Sequence, residues 1–502
     1  MESVSARVRG ALARGRERAR AVTGATEREL LLGGVLVLTG FGAVVGFVLT
    51  QYFGIDVLSS VVSTPYDCWI HTDIHLGRHC FSDYTMAMGQ ALRPDPWAPY
   101  PMINFNKTNL AGNPYPPAAL VVHSIFGLIG HWLHSPELGL ALYLVLLTVS
   151  LLTPAVWAAR GARGLERLVV FFVLSVAAVP VWTVIDRGNS LGFVVPIVLS
   201  FLLALCRQKW GLVSVLVVLA SFVKPQFLLL GFVLPAARQW KLAVIAAGSG
   251  LFMNLAAFLL WPADFPATIP HWIRSSLSSG ASFESLVGGF NVSFQKGIFT
   301  VPDGIAAVAH GNRVPDGYLA QPRMVAGYLV MLIVVAAVVA LGKRIPPVMA
   351  GFVLVATASL FPPVTFRYYL AFVLPIAALV IRSTDAPPGV GLFGRVADLG
   401  DRRRVVGVCA SIACLLTLVV LPVPGQSTRE PIRGIPIGEM GEPEVLTTAG
   451  LVPVIWLVAI AVILVSYARR PAAVVSTVSA ERSGGDMNFV EAKPRGGLGL
   501  PQ

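Results

Sequence analysis

Charged side chains are scarce. Asp, Glu, Lys and Arg make up 13% of the 502 residues, against about one quarter in an ordinary soluble domain, and 55% of the chain is hydrophobic. With a mean hydropathy of +0.73, a soluble globular protein is excluded. Windows long enough to cross a hydrocarbon core of ~30 Å recur along nearly the whole chain, so the class is a polytopic membrane protein. Cysteine is also rare, five in all. Cys206, Cys409 and Cys414 sit inside apolar runs and read as small buried hydrophobes, and no cysteine spacing matches a zinc site. Acid is scarcer than base, and the net charge is +12. In a soluble chain that would suggest nucleic acid, but here the basic residues lie in short links between hydrophobic runs, where Lys and Arg stay on the cytoplasmic side against anionic lipid. Membrane lipids are therefore expected as partners and nucleic acid is not. The outer segments contain no Asp-x-Asp. The one tight Asp/His grouping, Asp73 and His75, offers too few ligands to define a metal geometry, so neither metal nor cofactor is expected.

What the chain does have is order. A basic arm, 1–28, precedes an apolar run, 29–50, that is longer than the core of a signal peptide and ends without a small-x-small cleavage pattern; it reads as an uncleaved anchor with its N-terminus inside. The following loop, 51–136, is then outside. Cys68 and Cys80 fall in it, in an oxidising compartment, and a loop-closing disulfide between them is expected. The stretch 116–135, with His123, His131 and His134 among apolar residues, suits a helix lying at the membrane interface.

Spans follow at 138–159, 168–185 and 191–206. The apolar stretch 211–235 is flanked by basic pairs at both ends, Arg207/Lys209 and Arg238/Lys241. Two short helices meeting near Lys224-Pro225-Gln226 keep both pairs inside; each arm reaches only ~20 Å, so the turn lies within the bundle or a water-filled cavity. Further spans at 242–261, 324–341, 347–361, 368–381, 405–421 and 450–467 enclose a second large outer loop, 262–322. The expectation is an all-α bundle of about twelve transmembrane helices over 29–470, both termini cytoplasmic, with a disordered polar tail, 471–502.

Lys224 in an apolar helix pair is costly unless partnered, which makes it a functional candidate; its alternative is a structural lysine pairing with Asp186. Arg187 and Arg367 sit at outer turns, where a guanidinium either holds a lipid phosphate by forked hydrogen bonds or is an ordinary loop charge. Asp83 opens an apolar-periodic segment. It reads as a helix cap, as a base taking a proton from a sugar hydroxyl, or as both, and Asp67, Asp73 and Asp95 compete for the second role.

Asp83-Tyr84, Trp97-Ala-Pro-Tyr100, Asn113-Pro-Tyr-Pro-Pro117, Arg187-Gly-Asn189, Lys224-Pro225-Gln226 and Pro362-Pro363-Val-Thr-Phe-Arg-Tyr-Tyr369, in that order, resemble the GT-C superfamily. Within it they resemble glycosyltransferase family 87, the actinobacterial polyprenol-phosphate-mannose-dependent α-mannosyltransferases. The resemblance runs from about Asp83 to Ile381. It implies a GT-C bundle capped by outer loops, a polyprenyl-phosphate sugar donor and a glycolipid or glycan acceptor in cell wall biosynthesis. It further implies Asp83 as base, and phosphate or substrate contacts at Arg187, Asn189, Lys224 and Arg367. Where mannosyltransferases of the family tend to carry a histidine pair, this chain has Tyr368 and Tyr369. Mannose is the family default for the sugar and arabinose the alternative. The expected enzyme is an inverting, metal-independent transferase of the bacterial plasma membrane with an extracytoplasmic active site. A transporter or lipid-linked sugar flippase, with Lys224 and Asp186 lining the path, is the rival; it predicts broken helices in both halves, and the Lys224-Pro225 pair is the one candidate.

Overall fold

The computed structural model describes residues 25–62, 81–98, 100–104, 107–111, 113, 115–262, 265–270, 272–273, 283–311, 313–398, 403–429 and 443–469. Cys68, Cys80, Asp67, Asp73, His75, most of the arm and the tail lie outside the described residues.

The fold is helical, with one two-stranded antiparallel ribbon in which Tyr100–Asn104 pairs with Lys107–Ala111. The opening helix, Glu27–Phe53, begins with a capping box. Thr26 Oγ1 accepts from the Glu29 amide, and Glu29 Oε2 accepts from the Thr26 amide at 2.8 Å, so two end donors are satisfied reciprocally. Among the described residues, five helices are long and apolar enough to cross a membrane: Glu27–Phe53, Pro136–Ala159, Trp240–Leu260, Ala320–Arg344 and Thr448–Ala468. Gly164–Leu174 and Val179–Arg187, bent by 47°, make a sixth if taken as one span. The other segments read as spans are apolar helices of 10–17 residues, and their breaks have local causes. Lys224 precedes Pro225, which disfavours helical backbone at the residue before it; its φ and ψ are −143° and 105°. The helix Pro347–Leu360 stops just before Pro362-Pro363, neither of which has an N–H to continue it.

Burial sorts the helices. Every residue from Val348 to Leu360, and every residue of Val373–Ile381, is buried, as befits helices apolar all round. The flanking helices instead expose large apolar side chains, Val37, Phe41 and Phe47 on the first and Val244 and Phe252 on Trp240–Ala256, which suits a lipid-facing rim.

Contacts between distant chain segments define two ends of the bundle. At one, Arg28 donates to the Ile381 carbonyl at 2.9 Å and pairs with Glu166 at 2.6 Å. Arg382 donates to the Trp157 carbonyl and Arg403 to that of Ser466. The basic links thus meet one another. The helix Leu191–Cys206 reaches this end at Cys206, coming from the opposite end at Leu191, about 24 Å away at 1.5 Å per residue. Trp210–Val223 runs back alongside it to Lys224. The return arm, Pro225–Phe232 and Val233–Ala236, ends where it started, since Trp210, Ala236 and Ala237 line one cavity.

Candidate active site

Asp83 stands second in the helix Ser82–Ala91. The N-cap is Phe81, in left-handed backbone with φ 45°, and no side chain caps the helix. Asp83 is therefore not the cap, and its oxygens face another part of the chain. Arg187 Nη2 donates to Oδ1 at 3.1 Å, Arg187 Nε to Oδ2 at 3.4 Å, and Asn189 Nδ2 to Oδ2 at 2.8 Å. The Asn189 amide is oriented by its other end, because Oδ1 accepts from the Leu191 amide at 2.9 Å, which leaves only the NH₂ for Asp83.

The turn between Arg187 and Asn189 lies directly against the Asp83 helix. Gly188 has φ 61°, and a Cβ there would stand 3.0 Å from Tyr84 Cβ and 3.3 Å from Phe81 Cβ. Glycine is required both by the backbone and by the approach. Tyr143 locks the turn from the far side: its hydroxyl donates to the Gly188 carbonyl at 2.9 Å, and its ring lies 4.5 Å from that of Tyr84. His123, read from the sequence as an interfacial residue, is turned inward, stacked 5.6 Å from the Tyr143 ring. His131 and His134 are exposed.

Asp83 is 4% exposed. Burial pushes its carboxyl up to about 6, against the opposing hydrogen bond from Asn189 and the charge of Lys224; the charge of Asp186 adds to the rise. It is thus an ionised group at neutral pH with appreciable basicity. A carboxylate has about four lone-pair sites and three are engaged here, so a proton can still be accepted.

Lys224 faces the same centre from the helix break. It is 6% exposed, and its Nζ lies 5.2 Å from the Tyr115 ring centroid and 5.9 Å from that of Tyr369, a cation held against aromatic faces. Among the described residues it makes no hydrogen bond and no ion pair. Tyr369 donates to Gln226 Oε1 at 3.4 Å, and Gln226 donates to the Ala358 carbonyl at 3.1 Å. Tyr368 stacks on Phe366 at 5.6 Å, and Phe366 carries the Arg187 guanidinium 5.6 Å above its ring. The centre thus brings together Asp83, Arg187, Asn189, Lys224, Tyr368 and Tyr369. Arg367 is placed differently. Its guanidinium donates to the carbonyls of Ser60 and Gly289, tying the segments 51–136 and 262–322 together. Asp95, a competitor for the base, accepts from the amides of Trp97 and Ala98 and serves a turn.

Two arrangements went unassigned in the sequence. Asn291, Ser293 and Gln295 all donate to the Pro363 carbonyl, at 3.0, 3.0 and 2.9 Å, and Asn291 Oδ1 accepts from the Thr365 amide at 3.0 Å. They fix the Pro362-Pro363 corner from the entry to the helix Phe294–Ala309, of which Ser293 is the N-cap and Gln295 the second residue. The second is a buried triad. Arg323, with both terminal nitrogens, and Lys296, at 3.1 Å, hold Asp303. Lys296 and Asp303 stand seven residues apart on one face of the helix Phe294–Ala309, whereas nothing in the sequence spacing links Arg323 to either.

The family model for glycosyltransferase family 87 matches residues 113–348, just under half of the chain. Over these residues the chain is similar to the family 87 glycosyltransferases. No curated protein matches the chain. The family 87 match takes in Asn113, Arg187, Asn189 and Lys224, and it stops short of Asp83 on one side and of Arg367, Tyr368 and Tyr369 on the other. The resemblance read from the short motifs is thus shown at the level of family, and with it glycosyltransferase activity on a sugar donor and an acceptor. The membrane setting rests on the five to six spanning helices.

Proposed function

We propose that the chain transfers a sugar from a polyprenyl-phosphate donor to an envelope glycolipid or polysaccharide on the extracytoplasmic side of a bacterial plasma membrane, in an actinobacterial cell wall pathway. Mannose is the first choice of sugar and arabinose the second. The bundle is the twelve-helix GT-C arrangement, with both termini cytoplasmic and the Asp83 end outward. One observation carries this reading: a buried carboxylate, basic enough to take a proton, stands opposite a buried ammonium that has no hydrogen-bonding partner among the described residues.

The acceptor hydroxyl gives its proton to Asp83 as its oxygen attacks the anomeric carbon. The bond from that carbon to the phosphate oxygen breaks, and the phosphate leaves with the electron pair and inverts the centre. Lys224 and Arg187 meet the growing charge on the phosphate, with preorganised cations in a dry site doing the work a metal ion does elsewhere. Asn189 and Arg187 hold Asp83 in place, and Tyr368 and Tyr369 line the sugar's position. Arg367 acts here as a positioning residue that keeps the two outer loops over the centre. A flippase does not need a base, and the family match weighs against that alternative.

The test is transfer by purified protein from polyprenyl-phosphate mannose or arabinose to membrane acceptors. Wild type should transfer one of the two sugars. Unchanged transfer by Asp83→Asn would remove Asp83 as base, and no transfer from either donor by wild type would remove the donor class.

A further inference from the structure

The opposite end of the bundle carries a second site. A cavity of about 480 Å³ is enclosed by the turns that follow Leu191–Cys206, Val233–Ala236 and Ala320–Leu341. Each turn contains a residue in left-handed backbone, Gln208 with φ 53°, Arg238 with φ 64° and Gly342 with φ 51°. Gln208 and Arg238 each follow a helix C-cap and close a Schellman turn, the Lys209 amide donating to the Ala204 carbonyl at 2.9 Å and the Gln239 amide to that of Leu234 at 2.8 Å, so the shape of both turns is fixed. The same turns hold Arg207, Lys209, Arg238, Lys241, Lys343 and Arg344 and no acidic residue. The cavity itself is two-faced. Trp210, Val233, Ala236 and Ile345 give it an apolar wall, while Gln208, Gln239 and Lys343 give it a polar and cationic rim.

We infer that this cavity binds a phosphate-bearing anion, the headgroup of an anionic phospholipid whose acyl chain lies along the apolar wall. Free phosphate shares the headgroup's chemistry at the rim. Of the lining residues Lys343 is cationic, with five more cations on the flanking turns, and the apolar wall beside it distinguishes the cavity from a general attraction of basic links to a membrane surface. The site is separate from the Asp83 centre by the length of the helix Leu191–Cys206, so it is not the donor phosphate position. Two elements end at both places, Leu191–Cys206 beside Asn189 and Trp210–Val223 beside Lys224, and Pro347–Leu360 runs from the cavity to Ala358, whose carbonyl accepts from Gln226. An occupant therefore braces the helices that position Asn189 and Lys224.

The experiment uses the full chain, purified and stripped of lipid in detergent. Binding and thermal midpoint are measured with phosphatidylglycerol, with phosphatidylcholine of the same acyl chains, and with inorganic phosphate. Phosphatidylglycerol should bind and raise the midpoint by mass action, and phosphatidylcholine should not. Lys343→Gln, an exposed position that leaves folding intact, should weaken phosphatidylglycerol about tenfold through loss of a charge-assisted contact. Ala237→Phe, which fills the cavity without removing charge, should do the same, whereas Arg429→Gln, an exposed cation outside these turns, should not. Inorganic phosphate that competes and protects equally assigns the site to free phosphate. Protection by phosphatidylglycerol alone assigns it to lipid. Equal effects of the two lipids, or phosphatidylglycerol binding unmoved in both Lys343→Gln and Ala237→Phe, overturns the proposal.

Discussion

Asp83 and Asp303 are both buried, and each is held by an arginine, yet the two centres are built for different ends. At Asp303 every strong group is committed. Arg323 spans both oxygens, its Nε is taken by the Tyr318 carbonyl at 3.0 Å, and Lys296 divides its ammonium between Asp303 and the Val287 carbonyl at 2.7 Å. Arg323 is fully buried and lies against the Phe299 ring at 4.8 Å. Each carboxylate accepts three hydrogen bonds, but at Asp83 the second cation, Lys224, is held by aromatic faces alone. A buried ion pair is weak support for stability, because desolvation offsets most of the attraction. What separates the two centres is the hydrogen-bonding capacity that the Lys224 ammonium leaves unused among the described residues.

That distinction can be broken most directly by the two matched amides. Asp83→Asn should lower the transfer rate by roughly 10²–10⁴-fold, the range for loss of a positioned base, while Asp303→Asn should leave the rate per folded molecule within a few-fold. Equal losses in a transfer assay normalised to folded protein would erase the difference between the centres. Arg323→Ala should cost about 3–5 kcal/mol of stability, because it leaves Asp303 buried beside a single cation; a thermal midpoint close to wild type would show the triad to be dispensable. Lys224→Met should reduce kcat/KM by about 10²-fold through lost charge stabilisation without lowering the midpoint, since no described hydrogen bond is broken; a large drop in midpoint with normal kinetics would make Lys224 structural.

The smallest effect is in pH. A base with its pKa at about 6 is half protonated there, so the rate should fall by about half at that pH and further below it. Stability moves the other way. The folded state holds the Asp83 proton more tightly than the unfolded chain, whose carboxyl titrates near 3.8, so between those values falling pH adds stability. The difference in thermal midpoint between wild type and Asp83→Asn, followed from pH 7 to 4, should shift in favour of wild type. A flat difference would mean that burial does not govern this carboxyl.

Much of the scaffold was legible because its signals are local. Proline at 225 and at 362–363 told where helices break, and basic links told which helix ends belong together, as the contacts of Arg28, Arg382 and Arg403 bear out. At the centre, the candidates Asp83, Arg187, Asn189 and Lys224 could be chosen by scarcity of charge, but their partners could not. Arg187 and Asn189 reach Asp83 across more than a hundred residues, and no periodicity encodes such a pairing. That Asp83 is not the helix cap was likewise illegible until the position of Phe81 was known. Span count was the least legible quantity, since a hydrophobic run of 14–17 residues serves equally for a short crossing or a re-entrant arm.

The separation of partners along the chain has a consequence for how the protein is made. Asp83 precedes Arg187 by 104 residues, and Ser60 precedes Arg367 by 307. At ordinary elongation rates those gaps correspond to roughly 5–20 s and 15–60 s. For that time the carboxylate has no guanidinium beside it and the first loop has no clamp from the second. The centre is therefore assembled late in synthesis, and a chain truncated before the Pro362-Pro363 corner contains most of the charged residues of the centre but lacks the tyrosine pair and the arginine that close it.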